Sequence, residues 1–278
     1  MLLSLLEPLE RTGFQAALAD LSVAQPGARY TDEQLRLSLA LLAVLGVGRI
    51  AHVDDQPIEP LGVLLDTSRR PCGDTLDQYL NAVIQQDEQA AGAAANGGLP
   101  GHVRPGGLIE TAQLQSLVGW AQAGLLSEGV WQYDGHVLEY TGQAEIGKTK
   151  HGTKDKSVKA VKRFTLYNGL AAYNAYFSAS MTFAEAMQMM LTKANTVLPA
   201  SERVRKLAFD REGWDADLLR WLDAHDIIPL TWVKATSPNR HLLEAVPPSE
   251  FVPLAGEITI GKDEETVQVA QVADTQVT

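Results

Sequence analysis

Apolar residues recur at helical spacing through the first third of the chain and in short runs further on. A weak helical pattern over residues 2–21 is broken by Gln25-Pro26-Gly27. A stronger helix starts at Thr31, which makes a capping-box pair with Gln34; Leu35, Leu39 and Leu42 share its inner face and Gly46 is its stop. A Pro- and Asp-rich stretch at 53–60, an apolar segment at 61–65 and a turn at Arg69-Arg70-Pro71-Cys72-Gly73 lead to another helix. Asp74 opens it, with Leu76, Leu80 and Val83 on one side. The spacing predicts a helical N-terminal domain over 1–87, its best-patterned part being residues 29–87.

Residues 88–107, rich in Ala, Gly and Pro, read as a linker. A helix over 110–123 follows, with Leu114, Leu117, Val118 and Ala121 inward. From Gly129 the pattern turns to strands. The expected strands are 130–133, ended by Asp134, then 136–140, then 163–173. Thr182 caps a helix that runs to Val197. The apolar run 207–209 is a buried strand ending in Asp210, 216–224 a helix and 227–233 a fifth strand. The stretches 251–254 and 257–260 are β-like again. The order β-β-β-α-β-α-β is that of the ribonuclease H-like fold. The expected class is therefore α/β, with a helical N-terminal domain, a linker at 88–107 and an incomplete ribonuclease H-like mixed sheet with flanking helices over 108–240. A β-rich insertion begins at 241–278.

That order gives two acids a common address. In the ribonuclease H-like topology the first and fourth strands are parallel neighbours, so Asp134 and Asp210, 76 residues apart in sequence, are expected at one edge of the sheet. Ligands of open α/β sheets collect at the carboxyl ends of strands. Two adjacent carboxylates repel each other unless a cation neutralises them. Mg²⁺ takes such hard oxygen ligands and completes its shell with water and phosphate. A pair of ions about 3.5–4 Å apart can clamp an in-line attack on a phosphodiester. The ordinary reading of either Asp alone is a turn former or a helix cap.

Charge changes the picture locally. The chain carries a net charge of −11, which argues against a protein that coats DNA. Within 148–163, however, seven basic residues (Lys148, Lys150, Lys154, Lys156, Lys159, Lys162 and Arg163) stand against Asp155 alone, a local +6 that leaves −17 for the rest. A basic strip on an acidic body suits a polyanion held at one place, and lysines and arginines neutralise phosphates; the bland alternative is a solvated loop between strands. His136 shares a side of its strand with Asp134 and is a candidate phosphate contact, and Arg211 a candidate DNA contact or carboxylate partner. The lone Cys72 rules out an intrachain disulfide and fits a reducing compartment. No signal peptide or membrane-spanning run is expected.

Tyr133-Asp134-Gly135-His136 with Gly142, and Phe209-Asp210-Arg211-Glu212-Gly213, resemble the motifs of a group of bacterial insertion-sequence DDE transposases. Leu218-Leu219-Arg220-Trp221-Leu222 is similar to the same group, as are residues 227–232, 57–65 and Arg70-Pro71-Cys72-Gly73-Asp74-Thr75-Leu76. The resemblance spans about residues 29–235. It implies metal-dependent strand cleavage and strand transfer at transposon ends, with Mg²⁺ or substitute Mn²⁺ held by Asp134 and Asp210 as the first and second catalytic acids. It also implies double-stranded DNA as partner, a homodimer in the active complex and a cytoplasmic, nucleoid-associated location. The family's third acid is a Glu on a later helix. No helical Glu stands in a suitable place after Val233, so the chain reads as C-terminally truncated. Glu212 stands where relatives commonly have glycine. Three alternatives stand beside this reading: an inactive transposase remnant that only binds DNA or a partner chain, a metal-dependent nuclease of the same fold, and a helical interaction protein whose Asp pair is structural.

Overall fold

The computed structural model describes residues 28–44, 50–54, 69–91 and 106–231, apart from 128, 144, 152, 153 and 170; it also describes 19, 22, 23, 65, 251–253 and 268–270. The expected helix at 2–21, the stop at Gly46, the linker residues 92–105 and the β-like run 257–260 lie outside the described residues. The chain divides into two compact units, Met1–Ala208 and Phe209–Thr278.

The first unit opens with helix α1, Asp32–Val44. Its capping box forms: Gln34 N–H donates to Thr31 Oγ1 at 3.2 Å and Thr31 N–H to Gln34 Oε1 at 2.9 Å. Helix α2, Gly73–Ala91, runs four residues past 87. The residue at 87 ties this helix to the next. Asp87 is buried, and its carboxylate accepts from the N–H of Ile109 at 2.8 Å in the first turn of α3, Leu108–Gln122. Gly107, the N-cap of α3, makes no side-chain cap, and a Cβ there would overlap Asp87, so the acid of one helix caps the next. Leu35, Leu41, Leu42, Leu76, Tyr79 and Val83 form one core with Ala112 of α3, against which Leu108 and Ile109 also pack.

The strands follow: β1, Trp131–Glu139; β2, Lys148–His151; β3, Lys154–Asn168; and β4, Ala171–Phe177. Helix α4, Phe183–Val197, carries a full capping box between Thr182 and Glu185. Strand β5, Lys206–Phe209, lies beside β1, which lies beside β3; β2 and β4 both pair with β3. Three expected strands therefore fall differently along the chain. Residues 130–133 and 136–140 are one strand, with Asp134 in its middle rather than at its end. The run at 163–173 holds a hairpin: Asn168 ends β3 opposite Ala171, and the turn starts at Gly169, which has φ +58°. Within the basic strip, residues 148–151 and 154–163 are β-structure.

One face of this sheet is apolar. Tyr133, Phe164, Leu166, Tyr173, Ala175 and Phe177 are buried there, and Phe183, Met187, Met190 and Leu191 of α4 are buried with them. Tyr133 stacks on Phe164 at 5.7 Å and meets Phe183 edge-on at 5.0 Å. Helix α3 packs along β4, where Gln113 Oε1 accepts the N–H of Asn174 at 2.7 Å and so satisfies a donor on an outer strand.

In the second unit the 3₁₀ turn Arg211–Gly213, helix α5, Ala216–Ala224, and strand β6, Ile228–Thr231, follow in order. Asp215 caps α5 by accepting from Asp217 and Leu218. Strands β7, Phe251–Pro253, and β8, Gln268–Ala270, pair antiparallel. The element order from β1 to β6, three long antiparallel strands and then helix, strand, helix and strand, is ribonuclease H-like, with β2 an added arm. No helix of the described residues is long and apolar enough to cross a membrane.

Candidate active site

Asp134 sits opposite Thr165 on β3, and His136 opposite Arg163. Directly paired residues share a face, and alternation puts Tyr133, opposite Leu166, on the other one. Asp134 thus stands back to back with the aromatic cluster, on a face lined by Gln132, His136, Arg163, Thr165 and Tyr167. Its side chain is 47 % exposed and that of His136 52 %. Oδ2 lies 3.0 Å from His136 Nε2, and Oδ1 accepts from the N–H of Gly135 at 2.8 Å. The neighbours are tied to each other: Thr165 donates to Asn174 Oδ1 at 2.8 Å and Tyr167 to Gln132 Oε1 at 2.6 Å. Thr165, Gln132 and Asn174 were not singled out by sequence reasoning, because their membership of this face follows from strand register alone.

Register also sorts the basic strip. Lys148 pairs with Lys159 and Lys150 with Ser157. Counting along β3, Lys159 and Arg163 share the face of Asp134, and Lys148 and Lys150 join them from β2. Lys156 and Lys162 face the other way, and Lys162 Nζ donates to the carbonyl of Met181 at 2.7 Å. The Lys154 side chain lies outside the described residues. Lys159 pairs with Glu145 at 3.1 Å.

In the second unit Asp210 follows the end of β5 and caps the 3₁₀ turn: its Oδ1 accepts from Glu212 N–H at 2.7 Å. Thr231 of β6 donates to its carbonyl at 2.9 Å. Asp210, Arg211 and Glu212 are all exposed. Trp221 and His225 stack at 4.0 Å on α5.

Among the described residues no group of three or more His, Cys, Asp or Glu is placed to hold a metal ion. The donor chemistry still suits a hard cation. Asp134 presents a half-exposed carboxylate, and Mg²⁺ is commonly held by one or two carboxylates with water and phosphate rather than by an all-protein cage.

No family model and no curated protein matches the chain. Solved structures similar to it include complexes of Mos1 transposase. One is the Mos1 strand transfer complex, 14% identical over 80% of this chain and 65% of that one, with TM-score 0.27. Another is the Mos1 paired-end complex with the left transposon end, 15% identical over 78% and 62%, with TM-score 0.27. A third is the Mos1 mariner paired-end complex with Mn, 15% identical over 86% and 72%, again at 0.27. The chain spans less than two thirds of the length of the first two. At that TM-score the fold assignment rests on the strand order, not on the likeness.

Proposed function

We propose that the chain is a transposase or a part of one, acting in metal-dependent cleavage and joining of DNA strands at transposon ends. Asp134 and Asp210 are its metal-binding carboxylates, double-stranded DNA is its substrate, and a homodimer is its working form. The bound cation, Mg²⁺ or Mn²⁺, would polarise the scissile phosphate and activate the attacking oxygen. Asp134 supplies a carboxylate on a rigid strand, held from behind by buried aromatic rings. The motifs around the two acids support the reading, and so does the ribonuclease H-like order. The observation that carries it is the half-exposed Asp134 carboxylate, engaged only locally by His136 and Gly135 on a polar sheet face.

The test is nicking of supercoiled plasmid carrying the element's ends, in Mg²⁺, Mn²⁺ or EDTA. Nicking that needs the metal and disappears in Asp134→Asn and Asp210→Asn is expected. Nicking that survives either substitution overturns the assignment. Binding with no nicking under any metal favours a DNA-binding remnant.

A further inference from the structure

The Asp134 face of the sheet breaks a rule of strand pairing. Lys148 and Lys159 lie directly across from one another, and like charges so placed are destabilising. Lys150 extends the same row outward. Further along β3 comes Arg163, beside His136, and one pair beyond that come Thr165 and Asp134. The intervening pair, Leu138 and Val161, is apolar. A local pairing rule broken in this way is a mark of functional surfaces. Glu145, which pairs with the 27 % exposed Lys159, is itself 92 % exposed and offsets one charge of the row. The chain carries −11 overall, so the four cations gathered on the Asp134 face (Lys148, Lys150, Lys159 and Arg163) are an attractor for a polyanion against a repelling background, while Lys162 on the reverse face is tied to the Met181 carbonyl.

We infer that this face is a track for the phosphate backbone of one DNA strand, entered at Lys148 and Lys159, passing Arg163 and ending at Asp134, and that Lys156 and Lys162 take no part in it. Six residue steps along β3 lead from Lys159 to Thr165, opposite Asp134, a path of about 20 Å at roughly 3.3 Å per residue. The track deepens the transposase reading and rests on it for the identity of the strand: it sets the direction from which DNA approaches the acid. Its side chains meet phosphate, so they position the strand without reading its bases.

The experiment is the salt dependence of duplex DNA binding, measured by fluorescence anisotropy without metal on the full chain and its variants. Removing one cation that neutralises a phosphate lowers the slope of log K against log salt by about 0.9. Lys148→Gln with Lys159→Gln is expected to lower it by about 2 and Arg163→Gln by about 1, while Lys156→Gln leaves it unchanged. Glu145→Gln is expected to tighten binding. Melting temperatures of all variants guard against loss of fold; variants that fold and keep the parent slope overturn the track. A slope that falls as far in Lys156→Gln as in Lys159→Gln also overturns it, since the face would then be irrelevant. The two proposals fail separately. Equal slopes with Asp134-dependent nicking sink the track and spare the enzyme. A face-dependent slope with no nicking spares the track and sinks the catalysis.

Discussion

Two carboxylates in the first unit belong to opposite sides of the same sheet, and the fold treats them in opposite ways. Glu110 of α3 is buried at 2 % exposure and collects donors from three directions: the hydroxyl of Tyr173 on β4, the ammonium of Lys193 on α4 and the backbone N–H of Gly106. Burial, then Glu110 itself, pushes the Tyr173 phenol far above its ordinary pKa, so it stays a donor at any working pH. Asp134 is half exposed, and its partners are its own neighbours in sequence. One acid is used by the structure to join a strand to two helices. The other is carried by the structure and scarcely used by it, as expected for a side chain whose partner comes from outside.

The contrast can be broken or sharpened by substitution. The largest effect expected is on reaction rate: Asp134→Asn reduces metal-dependent nicking to background while leaving the unfolding free energy within about 0.5 kcal/mol of the parent. A nicking assay beside a urea titration checks both halves, and a large loss of stability would make Asp134 structural after all. Glu110→Ala should do the reverse. It strands a buried phenol and a half-buried ammonium, at a cost of about 3 kcal/mol in the same titration. A cost under about 1 kcal/mol would mean that water replaces the carboxylate freely.

Asp210 stands between these extremes, because it both caps a turn and is proposed to hold metal. Asp210→Ala is expected to cost about 1 kcal/mol and Asp210→Asn almost nothing, since Asn caps equally well. Both should abolish nicking, so the pair separates the cap from the chemistry. The smallest effect is at Glu185, where the Thr182 side chain and backbone donate to the carboxylate and hold its pKa below the ordinary value. A depressed carboxyl pKa contributes stability above the unfolded value of about 4.5, and that contribution is lost as pH falls through the folded one. The stability gap between the parent and Glu185→Gln should therefore be level above about pH 5 and close below it; a gap that widens in acid contradicts the sign.

Helices with strong local signals were legible in the sequence. The capping boxes at Thr31 and Thr182 form where their spacing predicts, because both partners lie within one turn. Strands were legible as a region of the chain and not in number or extent: β2 was not expected at all. Residues 130–140 read as two strands because Asp134-Gly135 looks like a turn, yet both residues stay in one continuous ladder, paired with Thr165 and Phe164. Residues 163–173 read as one strand because apolar residues flank the turn on both sides, although Gly169, at φ +58°, marks it. The basic strip lacked the usual alternation because its lysines fall on both faces of β3. Glu110 gave no sign of its burial: that depends on Tyr173 and Lys193, 63 and 83 residues away. For the candidate site, the two acids and His136 were legible as local motifs, and the company they keep was not, since register is a property of two strands at once.

A last consequence concerns Gly135, between the proposed metal ligand and His136. A Cβ there would stand 2.7 Å from the ring of Phe164, which is buried and in ring contact with Tyr133, Phe177 and Phe183. In a saturation mutagenesis map scored by activity, Gly135 would therefore show as intolerant as the acid beside it, although it has no side chain to offer a substrate. Scored by abundance, the two positions would part company: Gly135 depleted, Asp134 retained. The dipeptide would then separate two kinds of indispensability within a single codon step, one belonging to packing and the other to chemistry.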